Sequence, residues 1–320
     1  MKAVVLAGGY ATRLWPITKN RAKPLLPVGG TPIIDHIIRP LEELDVIEEV
    51  YVSTNKRFEE DFEEYIEANG FVKTIPAIEE TTAEDEKFGT IGALEQLIRR
   101  ESIDEDLLVV AGDNLFSFGI PDFLESYQER EEPTIAAYDV ESREKAKQYG
   151  LVNVDGGEVV DFQEKPDNPD STLVSIACYV FPADTLDLIT EYLEGDNNPD
   201  APGFFIEWLQ NRNSVHSYVF DGVWYDIGTP DSYLDANREM MDSETYVHED
   251  AVVEGSELGD GSYVMEDAVV EDSEIGNSII FPEAEVEEAE VDDTVIDTCA
   301  RVNGIDIEES IVGEYSRVQD

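Results

Sequence analysis

Positive charge is scarce in this chain. Its 320 residues include 21 Lys and Arg against 74 Asp and Glu, which gives a formal net charge of −53 at pH 7. Such a charge disfavours nucleic acid and anionic membranes as partners. The acidic residues lie between regular apolar patterns, which argues against a disordered acidic tail. Because molar salt shortens the Debye length to about 3 Å, the composition predicts a folded protein from a halophile with a salty cytoplasm.

Cysteines and long apolar runs are also few. Cys178 and Cys299 are the only cysteines, too few for a disulfide framework in a chain of this length, so a reducing cytoplasm is expected. No Cys/His cluster has the spacing of a zinc site. The longest apolar runs have the length of a strand, so no transmembrane span is predicted. A core strand follows the first two residues directly, which predicts that no signal peptide precedes the fold.

What the chain does contain is an alternation of strand-like and helix-like segments over about its first 240 residues, typical of an α/β sheet. The predicted strands are Ala3–Leu6, Val50–Ser53, Leu107–Ala111, Thr134–Tyr138, Leu151–Val154, Val159–Gln163, Leu173–Phe181 and Val215–Phe220. The predicted helices are Ile33–Leu44, Phe58–Ala68, Ile91–Arg100, Asp122–Arg130, Ala183–Leu193, Phe204–Gln210 and Ser232–Met241. We predict a Rossmann-like, mostly parallel mixed sheet with helices on both faces, in a catalytic domain of residues 1–241.

The pattern changes near Asp242. From Val247 to Val318 an apolar residue recurs every five or six positions, and every third one defines a coil of about 16 to 17 residues. Five glycines lie near the expected corners of the coil: Gly259, Gly261, Gly276, Gly304 and Gly313. Residues 242–320 resemble the left-handed parallel β-helix built from hexapeptide repeats. The alternative is a set of ordinary β-hairpins, which the persistence of the spacing disfavours.

The segment from Gly8 to Val28 carries the clearest chemical signal. An apolar run ends at Gly8-Gly9, and Arg13 and Lys23 follow in an irregular, proline-punctuated segment. Backbone N–H groups exposed at the carboxyl end of a strand suit phosphate oxygens, and nearby cations suit a polyphosphate. The spacing matches neither the dinucleotide-binding fingerprint nor the Walker loop.

This segment resembles the signature of sugar-1-phosphate nucleotidylyltransferases. The family shows Gly-Gly-x-Gly-Thr-Arg-Leu-x-Pro and then Lys-Pro-x-x-Pro-Val. Residues 8–16 here read GGYATRLWP and residues 23–28 read KPLLPV. Ala11 stands where the family usually has a third glycine, and because alanine is the smallest change we expect an intact site. The two-domain form is most similar to glucose-1-phosphate thymidylyltransferase-like members.

Two further segments extend the resemblance on the nucleotide side. Phe88–Ala93 looks like the base-recognition loop, although Gly-Thr before a helix is also an ordinary N-terminal cap. Val109–Asn114 ends a buried strand with Asp113, at the sheet edge where open α/β folds bind ligands. An Asp in that position is often only a turn or helix cap. The resemblance implies instead that Asp113 is a Mg²⁺ ligand.

Two later segments resemble the part of the family that meets the sugar phosphate and the metal. Phe162–Pro166 contains the Glu-Lys-Pro element, in which Glu164 would hydrogen-bond sugar hydroxyls and Lys165 would hold the phosphate. An exposed charged pair before a proline turn is the ordinary alternative. Gly222–Pro230 resembles the Trp-x-Asp-x-Gly-Thr element, which implies Asp226 as the second metal carboxylate. Thr229 in the same element could instead simply cap the next helix.

The resemblance therefore implies a complete set of site residues. The expected catalytic residues are Arg13, Lys23, Asp113, Lys165 and Asp226. The expected nucleotide-binding residues are Leu6, Ala7, Gly8, Gly9, Thr12, Arg13, Lys23, Gly89, Thr90, Gly112 and Asp113. The residues expected to bind the sugar phosphate are Gly150, Glu164 and Lys165, and the expected Mg²⁺ ligands are Asp113 and Asp226. Glu207 could reach the sugar, but an exposed helical position is equally compatible with its pattern.

The implied reaction joins a nucleoside triphosphate to a sugar 1-phosphate and releases pyrophosphate. The attacking phosphate is already anionic, so catalysis needs positioning and charge neutralisation more than an enzyme nucleophile. Arg13 would stabilise the departing pyrophosphate, and Lys23 would bridge phosphates near the α-phosphorus. We expect dTTP or UTP with glucose 1-phosphate. Mannose-1-phosphate guanylyltransferase and a catalytically silent regulatory subunit remain alternatives, and the base and sugar stay open.

The repeat region has its own alternatives. Hexapeptide acyltransferases commonly use a histidine within the coils, but past residue 242 only His248 occurs. We therefore expect the β-helix to stabilise the protein or to form a homo-oligomer, with acyl transfer as a third hypothesis.

Overall fold

A computed structural model describes residues 1–79, 88–241 and 243–320. The chain divides into two compact units. The first contains residues 1–9 and 34–224, and the second contains residues 10–33 and 225–320. The predicted domain boundary at residue 242 remains a prediction.

The first unit is built on a nine-stranded sheet. Its strands in chain order are β1 (Lys2–Leu6), β2 (Val50–Asn55), β3 (Thr74–Glu79), β4 (Leu107–Ala111), β5 (Thr134–Asp139), β6 (Gly150–Asp155), β7 (Glu158–Glu164), β8 (Leu173–Phe181) and β9 (His216–Val219). A short strand, Asn114–Phe116, lies outside this sheet.

The spatial order of the sheet is β3-β2-β1-β4-β8-β5-β9-β7-β6. The first four strands are parallel, with Ala3 opposite Val50 and Leu6 opposite Ala111. Strand β8 runs antiparallel to β4 and β5, and β7 runs antiparallel to β9 and β6. The fold is therefore the predicted mixed α/β sheet with a parallel core, although it has more antiparallel pairs than a mostly parallel sheet implies; beyond β8, strand β9 again pairs parallel to β5.

In the described part of the first unit, seven helices accompany this sheet. They are α1 (Asp35–Glu43), α2 (Glu59–Asn69), α3 (Thr90–Glu101), α4 (Ile120–Gln128), α5 (Arg143–Ala146), α6 (Ala183–Glu194) and α7 (Pro202–Gln210). Amphipathic spacing gives each longer helix a buried side, such as Ile91, Leu94 and Leu97 of α3. Within the described ranges, no helix has both the length and the apolar character to cross a membrane.

Several elements of the first unit are not predicted, among them the strand Asn114–Phe116 and two elements with weak sequence patterns, α5 and β3. The single turn of α5 is too short to show helical periodicity. Strand β3 contains Pro76, which interrupts a ladder because proline has no N–H to donate. The structure tolerates Pro76 because β3 is the edge strand of the sheet.

The second unit begins with an irregular segment, residues 10–33. It contains two 3₁₀ turns, Thr12–Leu14 and Lys23–Leu25, and a hairpin of two-residue strands, Pro27–Val28 and Thr31–Pro32. Helix α8 (Pro230–Met240) follows later in the chain.

Fourteen short strands of the second unit form three parallel sheets. The first sheet is Tyr246–Val247, Tyr263–Val264, Ile279–Ile280, Val295–Ile296 and Ile311–Val312. The second is Val252–Glu254, Val269–Glu271, Glu285–Glu287, Arg301–Asn303 and Arg317–Gln319. The third is Glu257–Leu258, Glu274–Ile275, Glu290–Asp292 and Ile307–Glu308. This arrangement agrees with the predicted β-helix and excludes ordinary hairpins, because neighbouring strands are parallel.

The coil of the β-helix has the predicted length. Tyr246 pairs with Tyr263, which pairs with Ile279, which in turn pairs with Val295, so corresponding residues lie 16 or 17 positions apart. The stacked interior side chains are apolar and buried: Val264, Ala268, Val270, Ile275, Ile280, Ala284, Val286, Ala289, Val291, Ile296, Ala300, Val302 and Val312. Stacking of small apolar side chains therefore explains why the period persists over successive coils.

The corners of the β-helix differ from the prediction in one respect. Gly261 and Gly304 have positive φ, but Gly259, Gly276 and Gly313 do not. Other residues with positive φ in this region are Gly255, Asp267, Asp272, Glu283, Glu288, Asp293, Cys299, Glu309 and Tyr315. Non-glycine residues thus form many of the left-handed turns, so glycine positions alone do not mark them.

Candidate active site

A cavity of about 260 Å³ opens at the carboxyl ends of the parallel strands in the first unit. Leu6 is the last residue of β1 and Ala111 the last of β4, and Gly112 N–H donates to Leu6 O at 2.9 Å. The lining residues are Leu6, Gly8, Gly9, Ser53, Glu79, Gly89, Thr90, Ala93, Ala111, Asp113, Ala177, Asp200 and Pro202. Parallel pairing therefore brings predicted residues from three separate segments to one cavity.

The glycine turn after β1 is held by the neighbouring strand β2. Ala7 N–H donates to Ser53 O at 2.7 Å, and Asn55 Nδ2 donates to Gly8 O at 3.0 Å. Asn55 is 1 % exposed, so this buried hydrogen bond fixes the orientation of the Gly8 carbonyl. The turn is consequently preorganised at the cavity wall.

The Gly89-Thr90 pair lies at the start of α3. Gly89 has φ +77, and a Cβ built on it would lie 2.5 Å from Pro199 O. Both the conformation and the space at this position therefore require glycine. Gly89 is itself the N-cap and provides no side-chain cap, so Thr90 is not the capping residue. Thr90 lines the cavity instead.

Asp113 forms a hydrogen bond with Asn114, which in turn forms one with Trp224, and the motif analysis assigns a site role to neither of these two residues. Asn114 Nδ2 donates to Asp113 Oδ1 at 3.1 Å, and Trp224 Nε1 donates to Asn114 Oδ1 at 2.6 Å. Asn114 is 4 % exposed. The amide of Asn114 thus fixes the orientation of one Asp113 oxygen, since its own oxygen is held by the indole.

Glu79 is another cavity residue that sequence reasoning missed. It is the last residue of β3, and its Oε1 lies 3.2 Å from the position a Cβ on Gly8 would occupy. Burial raises the pKa of Glu79, while a hydrogen bond with Ser53 and the charge of Arg100 oppose this rise. The signal for Glu79 would have been its place at the end of a parallel strand, but β3 itself is not predicted.

The Glu-Lys-Pro element lies on antiparallel strands β6 and β7, where Glu164 is opposite Gly150. The Glu164 side chain is only 6 % exposed. Burial raises the pKa of Glu164, the charge of Lys165 lowers it and Glu207 raises it further. Lys165 has φ +49, its N–H donates to Tyr149 O at 3.1 Å, and its side chain is 58 % exposed. A buried carboxyl and an exposed ammonium therefore leave the end of β7 side by side.

The first turn of α7 links this pair to the cavity. A Cβ on Gly203 would overlap the Glu164 carboxylate, so the absence of a side chain there makes room for Glu164. Pro202, the preceding residue, lines the cavity. Further along α7, Glu207 Oε2 accepts from Glu164 N–H at 3.4 Å. Glu207 therefore lies beside the Glu-Lys-Pro element on a partly buried helical position, and its contact with the sugar remains a prediction.

The second unit carries the other predicted residues. Ala11 precedes the Thr12–Leu14 turn with φ +47, and Ala11 O accepts from Thr18 Oγ1 at 2.8 Å. A glycine would adopt this left-handed backbone conformation without strain. Ala11 adopts it at a cost of about 1–2 kcal/mol. Lys23 lies in the second 3₁₀ turn and is 8 % exposed.

Arg13 lies against the late Trp-x-Asp-x-Gly-Thr element of the same unit. Its Nη2 is 2.8 Å from the position that a Cβ on Gly228 would occupy, and Asp226 is two residues before that glycine. Thr229 is the N-cap of α8 and forms a capping box with Ser232, so for Thr229 the ordinary structural role is confirmed. Among the described residues, no group of three or more His, Cys, Asp or Glu side chains is arranged to hold a metal ion.

The fold is that of a mixed α/β protein with a ligand-sized cavity at the carboxyl ends of its parallel strands. Residues 2–243 match the family described as nucleotidyl transferase, so the chain belongs to this family. It is 31 % identical over 242 residues to a Sulfolobus acidocaldarius protein named "Putative mannose-1-phosphate guanyltransferase", covering 75 % of this chain and 63 % of that protein. It is 33 % identical over 265 residues to a glucose-1-phosphate adenylyltransferase of Thermomicrobium roseum, covering 75 % of this chain and 60 % of that protein.

A solved structure is also similar. It is described as a "Putative Glucose-1-Phosphate Thymidylyltransferase" from Bacillus anthracis in complex with sucrose, with a TM-score of 0.66 and 26 % identity over 76 % of this chain and 96 % of that one. The chain spans about three-fifths of the length of the two curated relatives above. The three names differ in the nucleotide base, so family membership leaves the base undecided.

Proposed function

We propose that this protein transfers a nucleoside monophosphate from a nucleoside triphosphate to a sugar 1-phosphate, forming an NDP-sugar and pyrophosphate. The observation that carries the proposal is one cavity lined by Gly8, Gly9, Thr90 and Asp113, in which the lining residue Pro202 precedes Gly203, the residue that packs on Glu164. The glycine turn proposed to bind the nucleotide and the carboxyl proposed to bind the sugar therefore belong to one unit. Family membership supports the same reaction.

The chain's own side chains supply positioning and charge neutralisation. In this proposal Gly8 and Gly9 present backbone N–H groups to phosphate oxygens, and Arg13 and Lys23 neutralise the triphosphate. Lys165 holds the sugar phosphate. An oxygen of that phosphate then attacks the α-phosphorus in line with the departing pyrophosphate. Glu164 receives hydrogen bonds from sugar hydroxyls. No enzyme nucleophile or strong base is needed, because the attacking phosphate is already ionised.

A divalent metal suits the carboxylates available. Carboxylate oxygens are hard ligands, and Mg²⁺ typically takes one or two of them together with phosphate oxygens and water. Asp113, oriented by Asn114, and Asp226 would hold it. When bound, Mg²⁺ would neutralise charge on the α-phosphate.

Within this reaction we favour dTTP or UTP with glucose 1-phosphate, from the likeness to the thymidylyltransferase structure. The relative named as a mannose-1-phosphate guanyltransferase favours GTP with mannose 1-phosphate as the second candidate. We also keep the predictions that the β-helix is left-handed, that the protein forms a homo-oligomer and that it works in a salty cytoplasm.

The test is a matrix of dTTP, UTP, GTP and ATP against glucose, mannose and amino-sugar 1-phosphates, read by pyrophosphate release. The assay is run in molar KCl with MgCl₂, because the net charge of −53 requires screening. One productive pair is expected. Release that occurs without any sugar phosphate, or release with none of the pairs, would contradict the proposed function and favour a silent subunit or another acceptor. Replacing Mg²⁺ by excess EDTA should abolish the release.

A further inference from the structure

Within the second unit, the segment of residues 10–33 carries Arg13 and Lys23 on irregular backbone. Its regular structure is limited to the two 3₁₀ turns and the two-residue hairpin. Short 3₁₀ turns have poorer hydrogen-bond geometry than an α-helix and cannot by themselves hold a segment of this length rigid. The contacts that the segment makes elsewhere in its unit must therefore determine where the two cations lie.

Arg21 makes the most specific of these contacts, and it makes them with the β-helix. Its Nη1 donates to Asp297 Oδ1 at 3.3 Å, and its Nη2 donates to Thr298 Oγ1 at 3.3 Å. Its guanidinium carbon lies 5.0 Å from the ring centre of Phe281. Asp297 is 3 % exposed and directly follows the strand Val295–Ile296, so this seat belongs to the interior framework of the coil.

Two further contacts join the segment to the β-helix. Near its start, Pro16 packs against Gly313, where a Cβ would lie 2.6 Å from Pro16 Cγ. Near its end, Gly30 lies against Tyr263, whose Oη is 3.1 Å from the position of a Cβ on Gly30. Four successive coils of the β-helix, at Tyr263, Phe281, Asp297 and Gly313, thus contact the end, the middle and the beginning of the segment.

Helix α8 holds the hairpin of the segment through two hydrogen bonds. Tyr233 Oη donates to Pro27 O at 2.8 Å, and Asn237 Oδ1 accepts from Gly29 N–H at 3.1 Å. Both partners on α8 are buried. The hairpin that follows the second 3₁₀ turn is therefore fixed to α8.

Stability alone does not account for the Arg21–Asp297 pair. The pKa of Asp297 is above its ordinary value because the effect of burial exceeds the opposing attraction of Arg21. A buried ion pair commonly contributes little to stability, because the cost of removing the charges from water offsets their attraction. Such a pair does fix the orientation of the arginine side chain, because the planar guanidinium fits its partners in few orientations.

We propose that the β-helix positions the phosphate-binding cations, with Arg21 as the positioning residue that anchors the segment on Asp297, Thr298 and Phe281. This inference rests on the proposed function, in which Arg13 and Lys23 neutralise the triphosphate. Arg21 stands two residues before Lys23, so a shift of Arg21 moves the turn that carries the cation. Misplacement of a catalytic group by about 1 Å can lower the rate about 100-fold.

The kinetic test compares Arg21→Ala, Arg21→Lys and Asp297→Asn with a control, Arg301→Ala. Arg301 pairs with Glu285 at 2.9 Å on the same β-helix, but both side chains are about half exposed. Arg21→Ala should lower kcat about 10- to 100-fold, while KM for the sugar phosphate changes little. Arg21→Lys should recover part of kcat because it keeps the charge without the planar fork. Arg301→Ala should keep the wild-type kcat.

Hydrogen–deuterium exchange of the full-length protein gives a readout that needs no activity. Arg21→Ala and Asp297→Asn should speed exchange in peptides from residues 10–33 and leave coil peptides from residues 263–296 unchanged. Unchanged kcat and unchanged exchange in folded Arg21→Ala would overturn the proposal. So would equal acceleration throughout the coil, which would indicate a purely structural pair. If the wild type releases no pyrophosphate with any substrate pair, the proposed function fails, and the exchange data still decide whether Arg21 holds the segment.

Discussion

At the scale of single residues, the position of the carboxylate proposed to bind the sugar depends on the space left for it. Glu164 is buried against α7, and Gly203 is the residue that leaves room for it. The pKa of Glu164 is raised mainly by burial, so this carboxyl is placed by packing as much as by charge. Small residues around it are therefore expected to influence sugar binding without touching the sugar.

Gly203→Ala tests this expectation. The added methyl group should displace the Glu164 carboxylate and raise KM for the sugar phosphate about tenfold, with KM for the nucleotide nearly unchanged. In a Glu164→Ala background the methyl group has no carboxylate to displace, so adding Gly203→Ala should have no further effect. Additive losses in the double variant would contradict the mechanism.

Lys165→Ala tests the neighbouring ammonium. Loss of a charge-assisted contact to the sugar phosphate should raise KM for that substrate by about 10- to 100-fold and KM for the nucleotide much less. The matched control is Lys147→Ala, since Lys147 is also exposed and pairs with Glu144 at 2.6 Å. Steady-state pyrophosphate release with each substrate varied in turn makes the comparison, and equal effects on both KM values would refute the role of Lys165.

At the scale of elements, the β-helix depends on repeated burial rather than on long strands. Its strands have two or three residues each, and the stacked interior side chains supply the apolar contacts between coils. Removal of one interior side chain should therefore leave a cavity between neighbouring coils that small side chains cannot close.

Ile296→Ala should lower the free energy of unfolding by about 2–5 kcal/mol, because Ile296 is fully buried. Val247→Ala serves as the control, since Val247 belongs to the same sheet but is 41 % exposed, and its loss should cost less than about 1 kcal/mol. Denaturant unfolding followed by circular dichroism measures both. Similar losses for the two variants would contradict the stacked core.

At the scale of the whole molecule, charge dominates. A net charge of −53 makes the folded chain repel itself, and the few cations are correspondingly valuable where anionic substrates are proposed to bind. The pair Arg13 and Lys23 stands on one segment, which the β-helix contacts through Arg21. Salt should therefore affect both stability and substrate binding, in opposite senses.

The midpoint of thermal unfolding should rise steadily between 0.1 M and about 2 M KCl, because screening relieves the repulsion. Each kcal/mol of repulsion relieved corresponds to a rise of about 2–4 °C for a chain of this size. Sucrose, which stabilises by exclusion without screening charge, is the control. A midpoint that responds equally to sucrose and to KCl would show that repulsion does not limit stability.

Local sequence patterns were sufficient to predict the elements whose formation depends on the spacing of buried apolar residues. The buried runs of β1 and β4, the amphipathic helices and the period of the β-helix follow from apolar spacing, and the structure contains all of them. Local patterns failed where the position of an element in the sheet decides whether it forms. Strand β3 is an example, because it tolerates Pro76 only at the edge of the sheet. The roles of the predicted site residues remain proposals, although the structure brings Gly8, Gly89, Thr90 and Asp113 to one cavity.

Sequence alone determined the family, the order of the elements and the identity of the charged residues, because motif spacing, periodicity and composition are properties of the linear chain. Tertiary structure decided which of these residues meet. Trp224 lies 110 residues from Asn114, and Glu79 has an ordinary pattern, yet pairing and burial bring Trp224 to the amide that holds Asp113 and Glu79 to the glycine turn. The hydrogen bond of Arg21 to Asp297 joins positions 276 residues apart, and only the tertiary folding of the second unit brings such positions together.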